Sequence, residues 1–357
     1  MKKTVDKKKL WRFIRLILLA VVLLMISGLL FGAVSILKLD AWHEFDAQKI
    51  LNCDRSLIVY DKDGFEVSVL KMSENRIYVS IDTIPETVRN AFIAAEDVRF
   101  YKHSGFDVKR IIGAAIADLK SGSLDQGAST ISQQLIKLSH LSSEKTFKRK
   151  IEEAILAYQM ERQFEKDEIL EMYLNYCYFG GGFYGIEAAS RGYFGISASK
   201  ISVSQAAMLA GILKSPSRYA PHINLEASTS RRNLILRLMT DYGFLDSTQY
   251  ETALNEKAVI TKTDFLDQRG YFIDSALQEA CEHLGITLDE LLSGGYYVYT
   301  SLDSDVQNKC EEIFADNSLF IDDEIQAAIA VVSPKTGMVS AMVGGRNTNV
   351  AMAYNRA

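Results

Sequence analysis

The most regular hydrophobic pattern in the chain is an apolar run near its start. Between Arg15 and Lys38, 22 consecutive positions carry no charged residue. As an α-helix this run is about 33 Å long, which exceeds the bilayer's hydrocarbon core of about 30 Å. A cleaved secretory signal peptide is the alternative, but its apolar region covers only about 7–15 residues. The pattern therefore predicts a single transmembrane signal-anchor helix at residues 16–37.

After this run, short apolar segments lie on either side of a turn. Residues 57–60 and 66–70 flank the sequence Asp-Lys-Asp-Gly at positions 61–64, which is typical of a β-hairpin. Residues 76–79 are predicted as a further strand. We interpret residues 38–80 as a β-rich stalk between the membrane and the main body of the protein.

From residue 81 to residue 255 the apolar period is helical. Val88, Ala91, Phe92 and Ala95 lie at i, i+3, i+4 and i+7, which predicts an amphipathic helix over residues 85–96. Further helices are predicted at residues 111–121, 131–138, 145–164, 169–174, 202–213 and 234–239. Their apolar positions, including those at 111–116, are interpreted as core, with contact to a bilayer as the alternative for 111–116.

Beyond residue 255 the pattern becomes mixed. A strand is predicted at residues 296–301, a helix at 303–314, and a β-hairpin from 329–332 and 338–343. The chain is therefore predicted to be mainly α, with an α+β fragment at residues 256–357 after the helical body.

Charge is distributed unevenly along the chain. The net charge is −5, but residues 1–15 carry seven Lys or Arg against Asp6, so this tail is +6 and the remainder −11. A basic cluster before an apolar helix predicts a cytoplasmic tail at residues 1–15 and an extracytoplasmic body. The acidic remainder excludes a nucleic-acid partner, which requires a basic surface. The cysteines show no C-x-x-C or metal-ligand spacing and do not demand a disulfide: Cys53, Cys177, Cys281 and Cys310.

An acidic pair ends the helix predicted at residues 85–96. Glu96 lies at the end of a helix with a buried face, where partial desolvation raises the pKa of a carboxyl group and suits it to proton transfer. Asp97, Phe100 and His103 follow within the same stretch. The structural alternative is a solvated helix end, which an acidic pair taken alone favours.

Three other stretches carry candidate chemistry. Residues 127–137 bring Ser, Thr, Gln and Lys to the start of a helix, a surface suited to an anion or a sugar. Arg149 and Glu153 are four residues apart on one helical face, with a surface ion pair as the alternative. Residues 166–175 place Glu171 and Asn175 four apart on another face.

Together these stretches closely resemble the peptidoglycan glycosyltransferases of family 51, the enzymes at the front of class A penicillin-binding proteins. The resemblance runs in order from residue 56 to about residue 250. It is carried by E-D-x-x-F-x-x-H-x-G at 96–105, G-x-S-T-I-x-Q-Q-x-x-K at 127–137, R-K-x-x-E at 149–153, K-x-x-I-L-E-x-Y-L-N at 166–175, and R-G-Y-F-G at 191–195.

The resemblance implies a lysozyme-like transferase domain at residues 81–255, next to the bacterial cell membrane. Such an enzyme polymerises lipid II, joining a glycan chain on undecaprenyl pyrophosphate to the 4-hydroxyl of the next lipid II. Glu96 matches the general base. Glu153 matches a second catalytic glutamate beside the donor pyrophosphate, where a divalent cation (Mg²⁺ or Mn²⁺) is expected. The implied substrate-binding positions are Asp97, Phe100, His103, Ser129, Thr130, Gln134, Lys137, Arg149, Lys150, Glu171 and Asn175.

The residue chemistry agrees with transfer from a pyrophosphate. Such a leaving group needs no proton, but it does need positive charge, which Lys137, Arg149 and Lys150 supply. A glycosidase would instead need a carboxylic acid to protonate the leaving sugar oxygen. The alternatives are a lytic enzyme of related fold and a non-catalytic scaffold. Expected partners are lipid II, the nascent glycan strand, the membrane and proteins of the cell-wall synthesis machinery.

The last hundred residues resemble the opening strands of a penicillin-binding transpeptidase domain. The resemblance is carried by residues 299–303, 332–337 and 355–357. No S-x-x-K string lies in a transpeptidase context. We therefore expect residues 256–357 to be a linker and the truncated start of that domain, without transpeptidase activity or penicillin binding.

Overall fold

The computed structural model describes Arg15, Ser27 and residues 44–71, 74–121, 129–141, 146–261, 270–321, 325–346 and 354–357. The predicted tail at 1–15 and the predicted membrane helix at 16–37 lie outside these residues, apart from Arg15 and Ser27. Within the parts of the chain that the structure describes, no helix has both the length and the apolar composition needed to cross a membrane.

The body of the protein is mainly helical, as the sequence pattern predicts. Short 3₁₀ helices connect some of its α-helices, at Ile81–Thr83, Phe100–Lys102 and Ala198–Lys200. The α-helices up to residue 255 are α1 Gln48–Leu51, α2 Glu86–Glu96, α3 Val108–Ser121, α4 Ile131–Ser139, α5 Phe147–Met160, α6 Lys166–Tyr176, α7 Ile186–Phe194, α8 Val203–Ile212, α9 Pro216–Tyr219, α10 Leu225–Asp241 and α11 Ser247–Asn255.

Several of these helices begin with a capping box. In α8 the Ser202 hydroxyl accepts a hydrogen bond from the Gln205 backbone, and the Gln205 side chain accepts one from the Ser202 backbone. This confirms the capping box predicted from sequence. Thr130 caps α4 in the same reciprocal way. Each box satisfies backbone donors that a helix start leaves unpaired, so it fixes where the helix begins.

The centre of the core is α8, which packs between α2 and α10. Its side chains from Ala206 to Ile212 are almost completely buried. Small residues such as Ala207 and Ala210 allow the neighbouring helices to approach closely. Glu96 ends α2, so this packing sets the position of the first candidate catalytic glutamate.

The predicted hairpin is present as β1 Leu57–Tyr60 and β2 Glu66–Leu70, which pair antiparallel. It does not form its sheet alone, because β1 also pairs in parallel with β5, at Tyr297–Tyr299. A two-stranded hairpin cannot bury a core by itself. Here the inner face of the hairpin packs on helices that follow residue 255 in the chain. A further strand, β3, covers only Asn75–Arg76 and pairs with β4, Phe183–Tyr184, so the predicted strand at 76–79 is shorter than expected.

One ion-pair network ties the hairpin to the helical body. Arg191 in α7 donates to Glu66 of β2 at 2.6 Å and to Glu187 of its own helix at 2.6 Å. Glu187 is buried and also accepts a hydrogen bond from the Ala198 backbone at 2.8 Å. The first residue of the R-G-Y-F-G stretch is thus a link between β2 and α7.

The final part of the chain is an α+β unit. The sequence analysis did not predict α12 Tyr271–Leu284 and α13 Leu288–Ser293, which precede β5. Helix α14 Ser304–Ala315 and the hairpin β6 Ile329–Val332 with β7 Val339–Val343 confirm the predicted pattern. Both α12 and α14 pack against β7.

Candidate active site

Glu96 lies where helices α2, α4 and α6 meet. Its Oε2 accepts a hydrogen bond from Gln134 Nε2 at 2.7 Å. Gln134 Oε1 in turn accepts one from the Tyr173 hydroxyl at 3.1 Å. We call Glu96, Gln134 and Tyr173 the base cluster. The two hydrogen bonds orient the Glu96 carboxylate with side chains that are fixed on separate helices.

The surroundings of Glu96 act on its pKa in opposite directions. Burial raises the pKa of Glu96 above its ordinary value and is the largest effect. The Gln134 hydrogen bond and the charges of Arg231, Arg110 and Lys214 act to lower it, in that order. The net pKa remains raised. A carboxylate in this condition is a stronger base than one in water.

Asp97 is completely buried beside the base cluster. Its Oδ2 lies 2.8 Å from His103 Nε2 and accepts a hydrogen bond from the Ile131 backbone at 3.1 Å. Its Oδ1 lies 3.7 Å from Arg110 Nη1. Asp97 therefore joins the turn after α2 to the first residue of α4, the helix that carries Gln134. These contacts give Asp97 and His103 a structural role.

The backbone of the 96–105 stretch rests directly on α5. Gly105 has a φ of +91°, and a Cβ at this position would stand 2.8 Å from the Tyr158 backbone nitrogen. The Gly105 carbonyl accepts a hydrogen bond from the Thr130 hydroxyl at 2.6 Å. Phe100 is fully buried in the same turn, with Lys166 Nζ 4.4 Å from its ring centre. Only glycine permits this close approach.

Replacing Gly105 with alanine is expected to lower the free energy of unfolding by about 3 kcal/mol. A left-handed backbone costs an alanine about 1–2 kcal/mol, and overpacking against a rigid backbone adds about 1–3 kcal/mol. Gly64→Ala is the matched control, because Gly64 has a φ of +81° and a Cβ added there would meet nothing within 4 Å. The losses in free energy of unfolding, measured by chemical unfolding of the two variants, should therefore differ by the cost of overpacking against α5. Equal losses would contradict the close contact.

A second cluster surrounds Glu153 on α5. Glu153 is 1% exposed, and its two oxygens accept hydrogen bonds from Arg149, at 3.1 Å, and from Lys150. Lys150 Nζ also donates to Ser129 Oγ at 2.7 Å. We call Ser129, Arg149, Lys150 and Glu153 the cationic cluster. The ion pair between Arg149 and Glu153 is present, but the alternative that places it on the surface is wrong for Glu153. This carboxylate is buried, and only the cations reach solvent.

Lys137 lies one turn after Gln134 on α4, and its side chain is exposed. Residues three apart share a helical face. The same face of α4 thus carries a member of the base cluster and a further cation.

Glu171 and Asn175 are directed elsewhere. Asn175 Oδ1 accepts a hydrogen bond from the Val79 backbone at 2.9 Å, and Glu171 Oε2 accepts one from the Ile81 backbone at 2.7 Å. The Tyr78 hydroxyl also donates to Glu171. These bonds hold the segment before α2 in place rather than joining either cluster. Substrate contact by Glu171 and Asn175 stays a prediction.

Sequence reasoning missed several groups near Glu96. Tyr173 was interpreted only as an apolar periodic position, although it carries a hydroxyl within a matched motif. Arg110, Lys214 and Arg231 have no local sequence signal that relates them to Glu96, because they come from three distant segments. Arg231 acts on the pKa of Glu96 from α10, which packs against α2 and α8.

The expected divalent cation has no fitting cage among these side chains. Both oxygens of Glu153 are occupied by cationic neighbours. Across the residues described, no group of three or more His, Cys, Asp or Glu side chains could hold a metal ion. Glu153 as a metal position therefore does not fit unless the substrate supplies most of the ligands.

Helix α3 carries an exposed apolar surface beside Arg110. Val108, Ile111 and Ile112 are 53%, 44% and 55% exposed. The interpretation of residues 111–116 as ordinary core is therefore wrong for Ile111 and Ile112. Large exposed apolar surfaces are found where proteins contact a partner or a lipid phase.

Comparison with known proteins assigns part of this chain to a family. Residues 63–240 match the family model described as Transglycosylase. Penicillin-binding protein 1A/1B of Bacillus subtilis (strain 168) is 37% identical over 355 residues, covering 96% of this chain and 38% of that protein. Penicillin-binding protein 1F of the same organism is 38% identical over 359 residues, covering 99% and 49%.

A relative from a second organism gives a similar match. Penicillin-binding protein 1A of Aquifex aeolicus (strain VF5) is 37% identical over 297 residues, covering 81% of this chain and 39% of that protein. The chain thus spans less than half the length of these three relatives.

Proposed function

Since residues 63–240 belong to the transglycosylase family, and the chain therefore contains a glycosyltransferase domain, we propose that it polymerises lipid II into glycan strands of peptidoglycan, releasing undecaprenyl pyrophosphate. The observation that carries the proposal is the separation of one desolvated glutamate from a cluster of cations. Glu96 has a raised pKa in the base cluster, while Arg149 and Lys150 flank the buried Glu153.

In the proposed reaction Glu96 accepts the proton of the acceptor 4-hydroxyl. The acceptor oxygen attacks the anomeric carbon of the donor sugar as the proton moves to Glu96. The hydrogen bond from Gln134 Nε2 to Glu96 Oε2 holds the carboxylate in one orientation. A general base positioned in this way accelerates a reaction by about 10²–10⁴-fold.

The cationic cluster stabilises the departing pyrophosphate. The bond from the anomeric carbon to the phosphate oxygen breaks, and its electron pair leaves with that oxygen. Arg149 and Lys150 supply positive charge there, and Lys137 adds to it from α4. Glu153 fixes both of its neighbours by ion pairs, so that their charge is oriented before the substrate arrives.

The environment of Glu153 favours transfer over hydrolysis of a glycan strand. A lytic enzyme needs a proton donor at the leaving sugar oxygen. Both oxygens of Glu153 already accept hydrogen bonds from cations. Glu153 is therefore better suited to hold these cations in place than to donate a proton. A bound divalent cation would add positive charge at the pyrophosphate.

The lipid carrier requires the active site to lie near a membrane. The exposed side chains of Val108, Ile111 and Ile112 on α3 support such a location. Together with the predicted anchor at 16–37 they favour a single-pass protein of the bacterial cell membrane with a lysozyme-like extracytoplasmic domain. Proteins of the cell-wall synthesis machinery remain proposed partners.

The direct test uses the purified chain in detergent with lipid II, with and without Mg²⁺ or Mn²⁺. We expect long glycan strands, measured by separating labelled products by length. A parallel reaction receives preformed strands instead of lipid II. Shortening of those strands would support the lytic alternative. No product from a folded protein in either reaction would support the scaffold alternative.

A further inference from the structure

The Gln134 side chain joins two groups that form different kinds of hydrogen bond with it. Its Nε2 donates to Glu96 Oε2 at 2.7 Å, and its Oε1 accepts from the Tyr173 hydroxyl at 3.1 Å. The two ends of an amide have nearly the same shape, so the hydrogen-bond partners decide which end faces which group. The orientation of the Gln134 amide therefore depends on Glu96 and Tyr173 together.

The orientation of this amide determines which form of Glu96 it stabilises. An ionised carboxylate only accepts hydrogen bonds, whereas a protonated carboxyl group also donates one. With Nε2 of Gln134 towards it, Glu96 receives a hydrogen bond that stabilises the ionised form. In the reversed amide, Oε1 would face Glu96 and would accept a hydrogen bond from the protonated form instead.

Tyr173 is placed to hold the amide in the first orientation. It is fully buried in α6, and its hydroxyl donates to Gln134 Oε1. Burial raises the pKa of Tyr173 well above its ordinary value, so the hydroxyl keeps its proton and remains a donor. Reversal of the amide would take the acceptor away from this hydroxyl, and the thiol of Cys177, one turn later, is only a weak acceptor. A buried donor without an acceptor is unfavourable, so Tyr173 opposes the reversal.

The other groups around Glu96 do not orient its carboxylate in this way. Among the described residues, no side chain other than Gln134 donates a hydrogen bond to that carboxylate. Arg110 donates to the Glu96 backbone carbonyl instead. The further titratable and charged groups that face Glu96 or Tyr173 are Asp97, Arg110, Cys177, Lys214 and Arg231.

We propose that Tyr173 is a positioning residue that fixes the Gln134 amide with its NH2 group towards Glu96, so that Gln134 stabilises the ionised carboxylate. The proposal rests on the proposed function of Glu96 as the base. It gives the tyrosine of the K-x-x-I-L-E-x-Y-L-N stretch a role that its burial alone does not. Once Glu96 has accepted a proton, the same amide no longer stabilises it, which favours release of that proton before the next cycle.

The sign of the expected effect follows from the amide. The base works in its deprotonated form, so the rate rises as pH rises through the pKa of Glu96. Tyr173→Phe removes the hydroxyl that opposes reversal of Gln134, so protonated Glu96 gains an acceptor. The pKa of Glu96 then increases, and the acidic limb of the rate profile moves to higher pH. Above that limb the rate should return to the wild-type level, because ionised Glu96 again attracts Nε2.

The test measures kcat/KM for polymerisation against pH in Y173F and Y193F. We expect Y173F to lose about tenfold on the acidic limb, which corresponds to a one-unit displacement of that limb, and to recover at alkaline pH. Y193F is the matched control, because Tyr193 is 2% exposed and its hydroxyl donates to the Phe179 carbonyl at 3.0 Å. Its profile should keep the wild-type shape, and thermal unfolding of both variants measures the general effect of losing a buried hydroxyl.

Three results of this comparison would overturn the proposal. They are a uniform loss at every pH in Y173F, an unchanged profile in Y173F, and the same displacement of the acidic limb in Y193F. The first would assign Tyr173 to substrate binding or to the fold, and the second would leave the amide orientation independent of Tyr173. The third would make the displacement a general result of removing a buried hydroxyl.

A double variant tests whether Tyr173 acts through Gln134. Q134L removes the amide and should itself move the acidic limb to higher pH. Adding Y173F should then leave the limb where Q134L alone places it, because the hydroxyl has no amide left to orient. A further displacement in the double variant would show that Tyr173 affects Glu96 by another route, which contradicts the proposal.

NMR separates this inference from the proposed function. In wild type, the ¹⁵N resonance of Gln134 Nε2 should titrate together with the ¹³C resonance of the Glu96 carboxyl, and a nitrogen that does not follow the carboxyl would reject the orientation without any substitution. In Y173F the carboxyl should titrate at higher pH, whether or not lipid II is polymerised. A displaced titration without polymerisation in wild type would keep the role of Tyr173 and reject the proposed function. Polymerisation with identical titrations in the two proteins would reject the role of Tyr173 alone.

Discussion

Glu96→Gln is expected to reduce the rate of lipid II polymerisation by about 10³-fold, within the range that a general base contributes. Glutamine has the shape of glutamate and can still bond to Gln134, but it cannot accept the proton of the acceptor hydroxyl. The fold should remain intact, because glutamine preserves the volume of the side chain and an oxygen that can accept from Gln134. The measurement is the initial rate of glycan formation, together with thermal unfolding of the variant.

The matched control is Glu86→Gln, at the first residue of the same helix. Glu86 is exposed and lies at the opposite end of α2 from the base cluster. Its replacement should leave polymerisation within about twofold of wild type, since exposed surface substitutions cost within about 0.5 kcal/mol. Retained activity in Glu96→Gln would remove Glu96 from the role of base.

Features set by short-range physics were predictable from the sequence. The period of Val88, Ala91 and Phe92 predicts α2, and the structure buries all three residues. The Ser202–Gln205 capping box predicts the start of α8, because both partners lie within one turn. The hairpin of β1 and β2 is confirmed for the same reason, since its turn and strands are adjacent in sequence.

Features that depend on long-range packing were not predictable. The pairing of β1 with β5 joins strands that are separated by the whole helical body. Helices α12 and α13 bury their apolar residues against that sheet, so their stability depends on it. The stretch at 111–116 has the period of a core helix, yet Ile111 and Ile112 are exposed, because periodicity does not identify what an apolar face contacts.

In the candidate site, too, local features were predictable from the sequence and long-range contacts were not. The motifs identify Glu96 and Glu153, and local spacing correctly pairs Glu153 with Arg149. Sequence does not show that Glu153 is buried, nor that Glu171 and Asn175 bind the segment before α2. The cations that act on the pKa of Glu96, Arg231, Arg110 and Lys214, come from distant segments, and none of them indicates Glu96 in sequence.

A chain of polar contacts runs from Asp97, next to Glu96, to the end of α5. Asp97 contacts His103 at 2.8 Å, and His103 Nδ1 lies 3.8 Å from Glu161. Glu161 pairs with Lys166 at 2.7 Å and also accepts a hydrogen bond from Ser132 of α4. These contacts thus fix the start of α4 between the turn after α2 and the end of α5. Removing the charge of Asp97 takes a buried negative charge away from Arg110.

Asp97→Asn is therefore expected to lower the free energy of unfolding by about 3–5 kcal/mol, the usual cost of breaking a buried ion pair from one side. Asparagine keeps the volume but loses the negative charge that faces His103 and Arg110. Its amide oxygen can still accept from the two groups that share Oδ2 in the native protein, His103 and the Ile131 backbone, so the expected loss comes from the missing charge. Denaturant unfolding of the purified protein measures the loss.

The control for this variant is Asp241→Asn, at the exposed end of α10. It removes the same charge from the surface and should change the free energy of unfolding by no more than about 0.5 kcal/mol. A loss below about 1 kcal/mol in Asp97→Asn would show that the charge of Asp97 is dispensable for the fold. Its effect on polymerisation would then be assigned to the orientation of Gln134 on α4, because Asp97 holds the first residue of that helix.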